Sequence, residues 1–159
     1  DFDPAKEVPS LEGKLVFITG GTAGIGAETA RTLAPHGPEH IYITGRNRTA
    51  ADKLIAEIRD KYPSIRMTFV EVDFTSLKSV KDVVRNGFKH ERLDLLMCTA
   101  GVMTQPAVLS KDEIQLAINH LAHAMLIDCL LPTLLPTAQF PNSDVRILST
   151  TSMGYQFAP

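Results

Sequence analysis

The sequence is poor in cysteine, in runs of like charge and in long uninterrupted apolar stretches. Its 159 residues include two cysteines, and the formal net charge is −2. Because no basic or acidic tract stands out, the charge pattern does not indicate binding to nucleic acid or to an anionic membrane. Cys98 and Cys129 each lie within an apolar run. This placement favours buried free thiols in a reducing compartment over a disulfide.

The pattern also gives no sign of a targeting or membrane-spanning segment. Residues 1–10 are polar, contain two prolines and match neither a signal peptide nor a membrane anchor. The longest apolar stretch, residues 121–135, is interrupted by His123, Asp128 and prolines, so we expect it to be too short and too polar to span a bilayer. The sequence therefore predicts a cytoplasmic protein without a membrane anchor.

Short β-branched runs alternate with longer helical periods along the chain, a pattern typical of βαβ units. Strands that are buried on both faces of a parallel sheet have continuous apolar sequences. Such runs predict strands at residues 14–19, 40–44, 66–73, 93–99 and 145–150. The composition, 44% apolar and 21% charged, is normal for a globular domain. We expect one α/β domain over residues 1–159, a doubly wound parallel sheet of the Rossmann type.

The helices between these strands are predicted from apolar spacing and from their end signals. The predicted helices cover residues 25–34, 49–62, 76–89 and 110–131. Thr49 is expected to cap the second helix, and Ser110 with Glu113 to form a capping box for the fourth. Pro132 and Pro136 are expected to break the end of that last helix.

The sharpest motif is a glycine-rich turn between the first predicted strand and the first predicted helix. Gly20 permits a tight turn, Gly24 allows close approach of a pyrophosphate, and Gly26 allows the helix to pack near the strand. The N–H groups and positive dipole end of the helix would attract the phosphate. The candidate phosphate-binding residues are Thr19, Gly20, Gly21, Thr22, Gly24, Ile25 and Gly26.

This turn resembles the T-G-x-x-x-G-I-G cofactor motif of the short-chain dehydrogenase/reductase family, and further family motifs follow in order. Asp73, with Phe74 after it, resembles the family aspartate that hydrogen-bonds the adenine. The run Cys98-Thr99-Ala100-Gly101 resembles the family N-N-A-G turn, with a threonine in place of an asparagine. The resemblance implies that Asp73, Phe74, Thr99, Ala100 and Gly101 contact the cofactor.

Two more motifs resemble parts of the family's catalytic machinery. Asn119 matches the helix asparagine that positions a water in the proton relay. Ser152 matches the serine that steadies the substrate oxygen, and we prefer it to Thr151 because the family uses the second hydroxyl of that pair. Residues 93–103 and 119–124 resemble the retinol-dehydrogenase-like branch, particularly its fungal members. The resemblance implies interconversion of a carbonyl and an alcohol, with a lipophilic small molecule of specialised metabolism as substrate.

The end of the second predicted strand bears on the choice of cofactor. An acid there would accept hydrogen bonds from the ribose hydroxyls and favour NAD. The sequence has Gly45-Arg46-Asn47-Arg48 instead, with no acid and two guanidinium groups that match a 2′-phosphate. We therefore expect NADP(H), with Arg46 as the main contact and Arg48 as a weaker one. The alternative is an arginine solvated at the strand end.

The family's catalytic tyrosine and lysine, arranged as Y-x-x-x-K, have no match in these 159 residues. None of the three tyrosines, Tyr42, Tyr62 and Tyr155, has a lysine four positions later. General acid–base transfer contributes on the order of 10²–10⁴ in rate. If the chain is complete, we expect no appreciable reductase activity, and a fifth strand that lacks cover on its faces. The stretch Ser110–Glu113 also resembles a family segment that is two residues longer.

Other function classes stay open beside the NADP(H)-dependent oxidoreductase. One is a non-catalytic dinucleotide-binding protein, and another is an isomerase, epimerase or dehydratase on the same scaffold. His120 and His123 lack a third ligand at useful spacing, so we expect no metal site and interpret them as helix-surface or interface histidines. The resemblance also implies a homo-oligomer, such as a dimer, through the helix that bears Asn119. Its apolar residues are either interface or core, namely Leu126, Ile127, Leu130 and Leu131.

Overall fold

All five predicted strands form and pair in one parallel sheet, in the order β3-β2-β1-β4-β5. The computed structural model describes residues 3–103, 114–153 and 156. The strands are β1 (Leu15–Ile18), β2 (His40–Gly45), β3 (Arg66–Glu71), β4 (Leu95–Cys98) and β5 (Arg146–Ser149). The helices are α1 (Pro4–Glu7), α2 (Gly24–Leu33), α3 (Arg48–Lys61), α4 (Leu77–Asp82) and α5 (Ala122–Thr137). The predicted fold class, a doubly wound parallel sheet, is confirmed.

The strand order reverses at β1, which pairs with β2 on one side and with β4 on the other. Val16 lies opposite Ile41 of β2 and opposite Leu95 of β4. In an open parallel sheet, a ligand binds beyond the carboxyl ends of the strands at such a switch point. The loops after β1, β2 and β4 therefore define where a site is expected.

Each face of the sheet carries its own apolar core. Val16 and Ile18 pack on one face with buried residues of α2 and α3, whereas Leu15 and Phe17 pack on the other face with residues of α4 and α5. All four residues of β1 are at most 2% exposed. This burial explains the continuous apolar run in β1, because a strand covered on both faces has no polar side.

The long helix α5 presents a buried stripe at intervals of four residues, so it is a core helix by its packing. The stripe consists of Ala122, Leu126, Leu130 and Leu134, and Ile118 extends it into the turn that precedes α5. Leu126 and Leu130 therefore belong to the core. Ile127 and Leu131 are half-buried, so their possible role in an interface stays a prediction.

The prediction that Pro132 and Pro136 break this helix is wrong, because both lie inside α5. The apolar stripe continues across Pro132 to Leu134, and this packing outweighs the lost backbone hydrogen bonds. Near the end, the Thr137 hydroxyl donates to the Thr133 carbonyl at 2.7 Å.

The expectation that this region is too short and too polar to span a bilayer is also wrong. The helical stretch extends back to Ile114, and Ile114–Thr137 is long and apolar enough, by length and composition alone, to cross a membrane. Core helices of soluble proteins meet the same criterion when they are mostly buried, whereas 28% of the apolar window is buried here, on the side of the stripe.

Helix boundaries differ locally from the predictions. Asn47 caps α3 in place of Thr49, because the helix begins two residues earlier and the Asn47 side-chain oxygen accepts from the Ala50 N–H at 3.0 Å. The helix after Ser76 ends at Asp82 and continues as a π-helical turn, Val83–Gly87. The predicted capping box at 110–113 lies outside the described residues. All four residues of β5 are exposed, and that this strand needs further cover stays a prediction.

Candidate dinucleotide-binding site

A cleft of about 410 Å³ opens beyond the carboxyl ends of β1, β2 and β4. Of the predicted cofactor-binding residues, all but Thr19, Gly21 and Arg48 line it. The predicted residues that line the cleft are Gly20, Thr22, Gly24, Ile25, Gly26, Arg46, Asp73, Phe74, Thr99, Ala100 and Gly101. The residues that line the cleft but were not predicted are Ala23, Gly45, Val72, Val102 and Ile118. Each missed residue is adjacent in sequence to a predicted site residue, so extending every motif by one position would have found them.

The glycine-rich turn has the geometry of a phosphate-binding turn. Gly20 has φ +65°, and a Cβ on it would lie 2.8 Å from the Cα of Ala100 in the turn after β4. Gly24 has φ +53° and open space around it at the first position of α2. Ala23 precedes α2 without a side-chain cap, which leaves the first N–H groups of the helix for another acceptor.

The buried Thr19 hydroxyl ties this turn to the turn after β4. Its oxygen accepts from the backbone N–H groups of Thr99 and Ala100, each at 2.9 Å, and lies 2.9 Å from Nε2 of His123. In return, the Thr99 hydroxyl donates to the Thr19 carbonyl. A threonine at position 99 therefore still braces the centre of the sheet, although the family motif has an asparagine there.

The two histidines of the long helix differ in their surroundings. His120 is exposed, but His123 is 6% exposed and stacks on the Phe74 ring with centroids 5.1 Å apart. Burial lowers the pKa of His123. The interpretation of His123 as a helix-surface or interface histidine is therefore wrong, because its ring packs against Thr19 and Phe74 inside the fold. In the part of the chain that the structure describes, no group of three metal-ligating side chains occurs.

Asp73 follows β3 and is oriented by its own loop. Its Oδ1 accepts from the backbone N–H of Thr75 at 2.9 Å and from the Thr75 hydroxyl at 2.8 Å. These two hydrogen bonds lower the pKa of Asp73, and the positive charge of Arg46 adds to the effect. The carboxylate is therefore ionised and held at the cleft, where it can accept from a ligand N–H or O–H group.

The two arginines after β2 stand in different environments. Arg46 lines the cleft and also a neighbouring surface pocket at the start of α3. Arg48 lines that pocket, but its guanidinium lies 5.0 Å from the centroid of the Phe69 ring and 3.9 Å from the Glu71 carboxylate. Arg46 is therefore placed to meet a ligand in the cleft, whereas Arg48 already has partners.

Gly45 leaves no room for a side chain at the end of β2. A Cβ on it would lie 2.8 Å from both the hydroxyl oxygen and the methyl carbon of Thr22. The sequence has no acid at this position, where one would favour NAD, and any side chain there would require Thr22 to move.

The candidate catalytic residues lie outside the described cleft lining. Asn119 lies in a π-helical turn, Leu116–Leu121, before α5. Its side chain binds the backbone of Val102 twice, accepting from the N–H at 2.9 Å and donating to the carbonyl at 3.0 Å. Ser152 follows β5 and is exposed. Cys98 is buried, and burial raises the pKa of its thiol to about 11, which argues against a nucleophilic role.

Comparison with known proteins identifies the family. The sequence model of the short-chain dehydrogenase family matches residues 14–156, and the chain therefore belongs to that oxidoreductase family. It is 38% identical to a short-chain dehydrogenase/reductase of Colletotrichum higginsianum over 97% of this chain and 39% of the relative. It is 36% identical to an uncharacterized oxidoreductase of Schizosaccharomyces pombe over 96% of this chain and 46% of the relative.

A solved structure agrees with this assignment. L-sorbose reductase from Gluconobacter frateurii, complexed with NADPH and L-sorbose, superposes with a TM-score of 0.68 and 26% identity. The match covers 78% of this chain and 48% of that enzyme. The chain thus spans less than half the length of each of these three proteins. The family and its neighbours support a nicotinamide dinucleotide as the cofactor.

Proposed function

We propose that this chain is the NADP(H)-binding part, over residues 1–159, of an oxidoreductase that interconverts a carbonyl and an alcohol. The observation that carries the proposal is the end of β2, where Arg46 faces the cleft and Gly45 has no space for an acid. A guanidinium without a competing carboxylate favours a 2′-phosphate over ribose hydroxyls.

Different residues of the cleft bind different parts of the cofactor. The turn of residues 20–26 and the start of α2 hold the pyrophosphate through backbone N–H groups. Asp73 accepts from the adenine, and Arg46 binds the 2′-phosphate with Arg48 as a weaker partner. The backbone of residues 99–101, which lines the cleft, would also contact the cofactor. The bound cofactor supplies the hydride.

Catalysis is assigned by family resemblance. Ser152 steadies the substrate oxygen, and Asn119 positions a water for proton transfer. The two hydrogen bonds of Asn119 to Val102 also hold the loop after residue 101 against the helix. Because no Y-x-x-x-K occurs in these residues, proton transfer to the substrate requires a polypeptide that carries this pair.

A non-catalytic dinucleotide-binding protein is the second candidate. It shares the cleft with the first candidate and differs in turnover alone. Oxidation of NADPH by the full-length protein over a panel of lipophilic ketones and aldehydes would exclude it.

The same proposal includes the cellular location, the substrate class and the oligomeric state of the protein. We place it in the cytoplasm, acting on a lipophilic carbonyl or alcohol of specialised metabolism, and without nucleic acid as a partner. Ile127 and Leu131, half-buried on α5, would contribute to a homodimer. Sedimentation of the full-length protein and localisation of a fluorescent fusion check these two points.

The deciding experiment is a titration of the full-length protein with NADPH and with NADH, followed by nucleotide fluorescence. We expect tighter binding of NADPH. Arg46→Ala should weaken NADPH binding by about 10- to 100-fold, as for a charge-assisted hydrogen-bonded pair, and leave NADH unchanged. Arg85→Ala, an exposed arginine outside the cleft lining, is the matched control. Equal affinity of the wild type for both nucleotides would overturn the assignment of NADP(H).

A further inference from the structure

We propose that His123 is a positioning residue of the dinucleotide site. It fixes the direction of the Thr19 hydroxyl and so holds the glycine-rich turn and the turn after β4 at their working separation. The inference rests on the proposed function, because it concerns how the chain shapes the cleft for a dinucleotide. The His123 ring is buried and outside the cleft lining, so it acts through its neighbours and does not touch the ligand.

The hydrogen bonds around Thr19 determine which atom of His123 carries a proton. A hydroxyl has two lone pairs and one proton. The N–H groups of Thr99 and Ala100, each at 2.9 Å, occupy both lone pairs. The proton must then go to Nε2 of His123 at 2.9 Å or to the Met97 carbonyl at 3.4 Å, and the first distance is the better one. Nε2 is therefore the acceptor, and the ring proton is on Nδ1.

The backbone around His123 agrees with this tautomer. The carbonyls of Asn119 and Ile118, one turn earlier in the helix, act against burial and raise the pKa of the ring, as acceptors of a ring N–H do. Since Nε2 faces Thr19, the ring nitrogen that these carbonyls would hold is Nδ1, and such a bond would orient the ring. The ring also stacks on Phe74, which lines the cleft beside Asp73. One side chain of the helix thus contacts two of the segments that form the site.

Loss of the acceptor at Nε2 would change the two turns that line the cleft, after β1 and after β4. Thr19 is fully buried, so its proton would turn to the Met97 carbonyl. The lone pairs would then point away from one of the N–H groups of Thr99 and Ala100. The Thr99 N–H would keep the Met97 carbonyl, at 3.2 Å, as a second acceptor. The part-buried Ala100 N–H would lose its acceptor at a cost in free energy, and the turn would shift to relieve it. Ala100 has little room for such a shift, because Gly20 is so near that a Cβ there would lie 2.8 Å from the Ala100 Cα. Both residues line the cleft.

The test compares variants that keep or remove the acceptor, in the full-length protein. His123→Gln places an amide oxygen near the position of Nε2, whereas His123→Leu fills the space without an acceptor. We expect His123→Leu to raise the Kd for NADPH about 10-fold and His123→Gln to stay within about 3-fold of wild type. If the full-length enzyme turns over, the KM for NADPH should rise and kcat should change little. His120→Leu, on the exposed face of the same helix, is the control.

The outcomes separate positioning from simple packing. Equal loss in the Leu and Gln variants, or no loss in either, would overturn the proposal. If the Leu variant fails to fold, long-range ¹H–¹⁵N spectra of the wild type still decide, because a protonated Nε2 contradicts the assigned tautomer and an unprotonated one supports it. Failure of the wild type to bind NADPH at all would overturn the proposed function, which is a different result from normal binding by His123→Leu.

Discussion

The two ends of the parallel sheet use polar side chains in opposite ways. At the carboxyl end, side chains such as Thr19 and Asn119 bind backbone groups of neighbouring loops and leave a cleft open. At the amino end, polar side chains bind one another. Asp94 is fully buried there and accepts from Arg92, from Lys14 and from the N–H of Leu15.

A second closed cluster lies at the amino end, built from aromatic rings. The Tyr42 hydroxyl lies 2.8 Å from Nδ1 of His90, and Nε2 of His40 lies 2.8 Å from the Thr68 hydroxyl. The rings of His40 and Tyr42 stack with centroids 4.4 Å apart. Two hydrogen bonds pair these four side chains with one another, and one atom of the cluster, the buried Nδ1 of His40, has no hydrogen-bond partner.

The difference indicates that polar side chains at the amino end of the sheet stabilise the fold, whereas those at the carboxyl end shape the binding site. Polar groups that satisfy one another stabilise the fold and have nothing left for a ligand. Polar groups that hold backbone shape a surface whose remaining N–H groups are available. Changes at the amino end should therefore alter the free energy of unfolding, and changes at the carboxyl end should alter nucleotide affinity.

The largest effect is expected from Asp94→Ala at the amino end. Burial would raise the pKa of Asp94, but Arg92, the Leu15 N–H and Lys14 outweigh it and lower that pKa, so the carboxylate is ionised and well paired. Removing one partner of a buried ion pair costs about 3–5 kcal/mol. Urea unfolding measures this loss. Asp144→Ala, from an exposed pair with Arg146, should change the free energy of unfolding far less, because solvent screens such a pair.

The same variant tests whether the amino end of the sheet affects stability without affecting nucleotide binding. Asp94→Ala that remains folded at low temperature should bind NADPH with the affinity of the wild type. A large loss of affinity in the folded protein would contradict the comparison, since it would couple the amino end of β4 to the cleft.

At the carboxyl end, Gly45→Asp should weaken NADPH binding about 10- to 100-fold, the range expected for overpacking a tight contact. The new side chain would collide with Thr22, whose hydroxyl and methyl groups lie 2.8 Å from the site of the added Cβ. Adding Thr22→Ala removes both of these atoms and should restore binding, now with a preference for NADH. Thr22→Ala alone is the control. If Gly45→Asp binds NADH well without the second change, the steric argument is wrong.

The contrast between the ends also explains what the sequence could predict. Motifs at the carboxyl end are local, and most residues of the glycine-rich turn, Asp73 and residues 99–101, which the motifs predict to contact a cofactor, line one cleft. That they bind a cofactor stays a prediction. The amino-end contacts join distant positions, such as Lys14 with Asp94 and His40 with His90, and no local pattern marks them.

Errors in α5 have the same origin, because they depend on packing that spacing alone does not reveal. The rotation of the helix decides that His123 is buried and His120 exposed. The apolar stripe decides that the chain stays helical through Pro132. The fold class needed neither detail, since alternating strand and helix patterns with a switch point determine it.

A smaller effect is expected from the histidine cluster as the pH falls. Burial, and then the neighbouring charges of His90, Arg66 and Arg59, lower the pKa of His40 to about 4, while Glu39 opposes them. The folded pKa lies below the ordinary value of 6.5, so the unfolded state takes up its proton first. This contribution to stability is present at neutral pH and is lost between about pH 6.5 and pH 4.

Unfolding of His40→Gln and wild type at pH 7 and pH 5 checks this prediction. The wild type should lose on the order of 1 kcal/mol more than the variant over this interval, a value reduced for the partial exposure of the ring. His120→Gln serves as the exposed control. Parallel losses in wild type and His40→Gln would assign the acid sensitivity to other groups, of which the buried His123 is the first to test.

The smallest effect is expected from Arg48→Ala, which sharpens the comparison within the carboxyl end itself. Arg48 is engaged with the Phe69 ring and with Glu71, so a 2′-phosphate would have to draw it away from partners that are worth about 0.5–1 kcal/mol each. We expect the Kd for NADPH to rise about 3-fold, well below the effect of Arg46→Ala. Glu71→Gln should act in the opposite direction, because it releases Arg48 toward the nucleotide. If Arg48→Ala weakens binding more than Arg46→Ala does, the ligand contacts the start of α3 and not the end of β2.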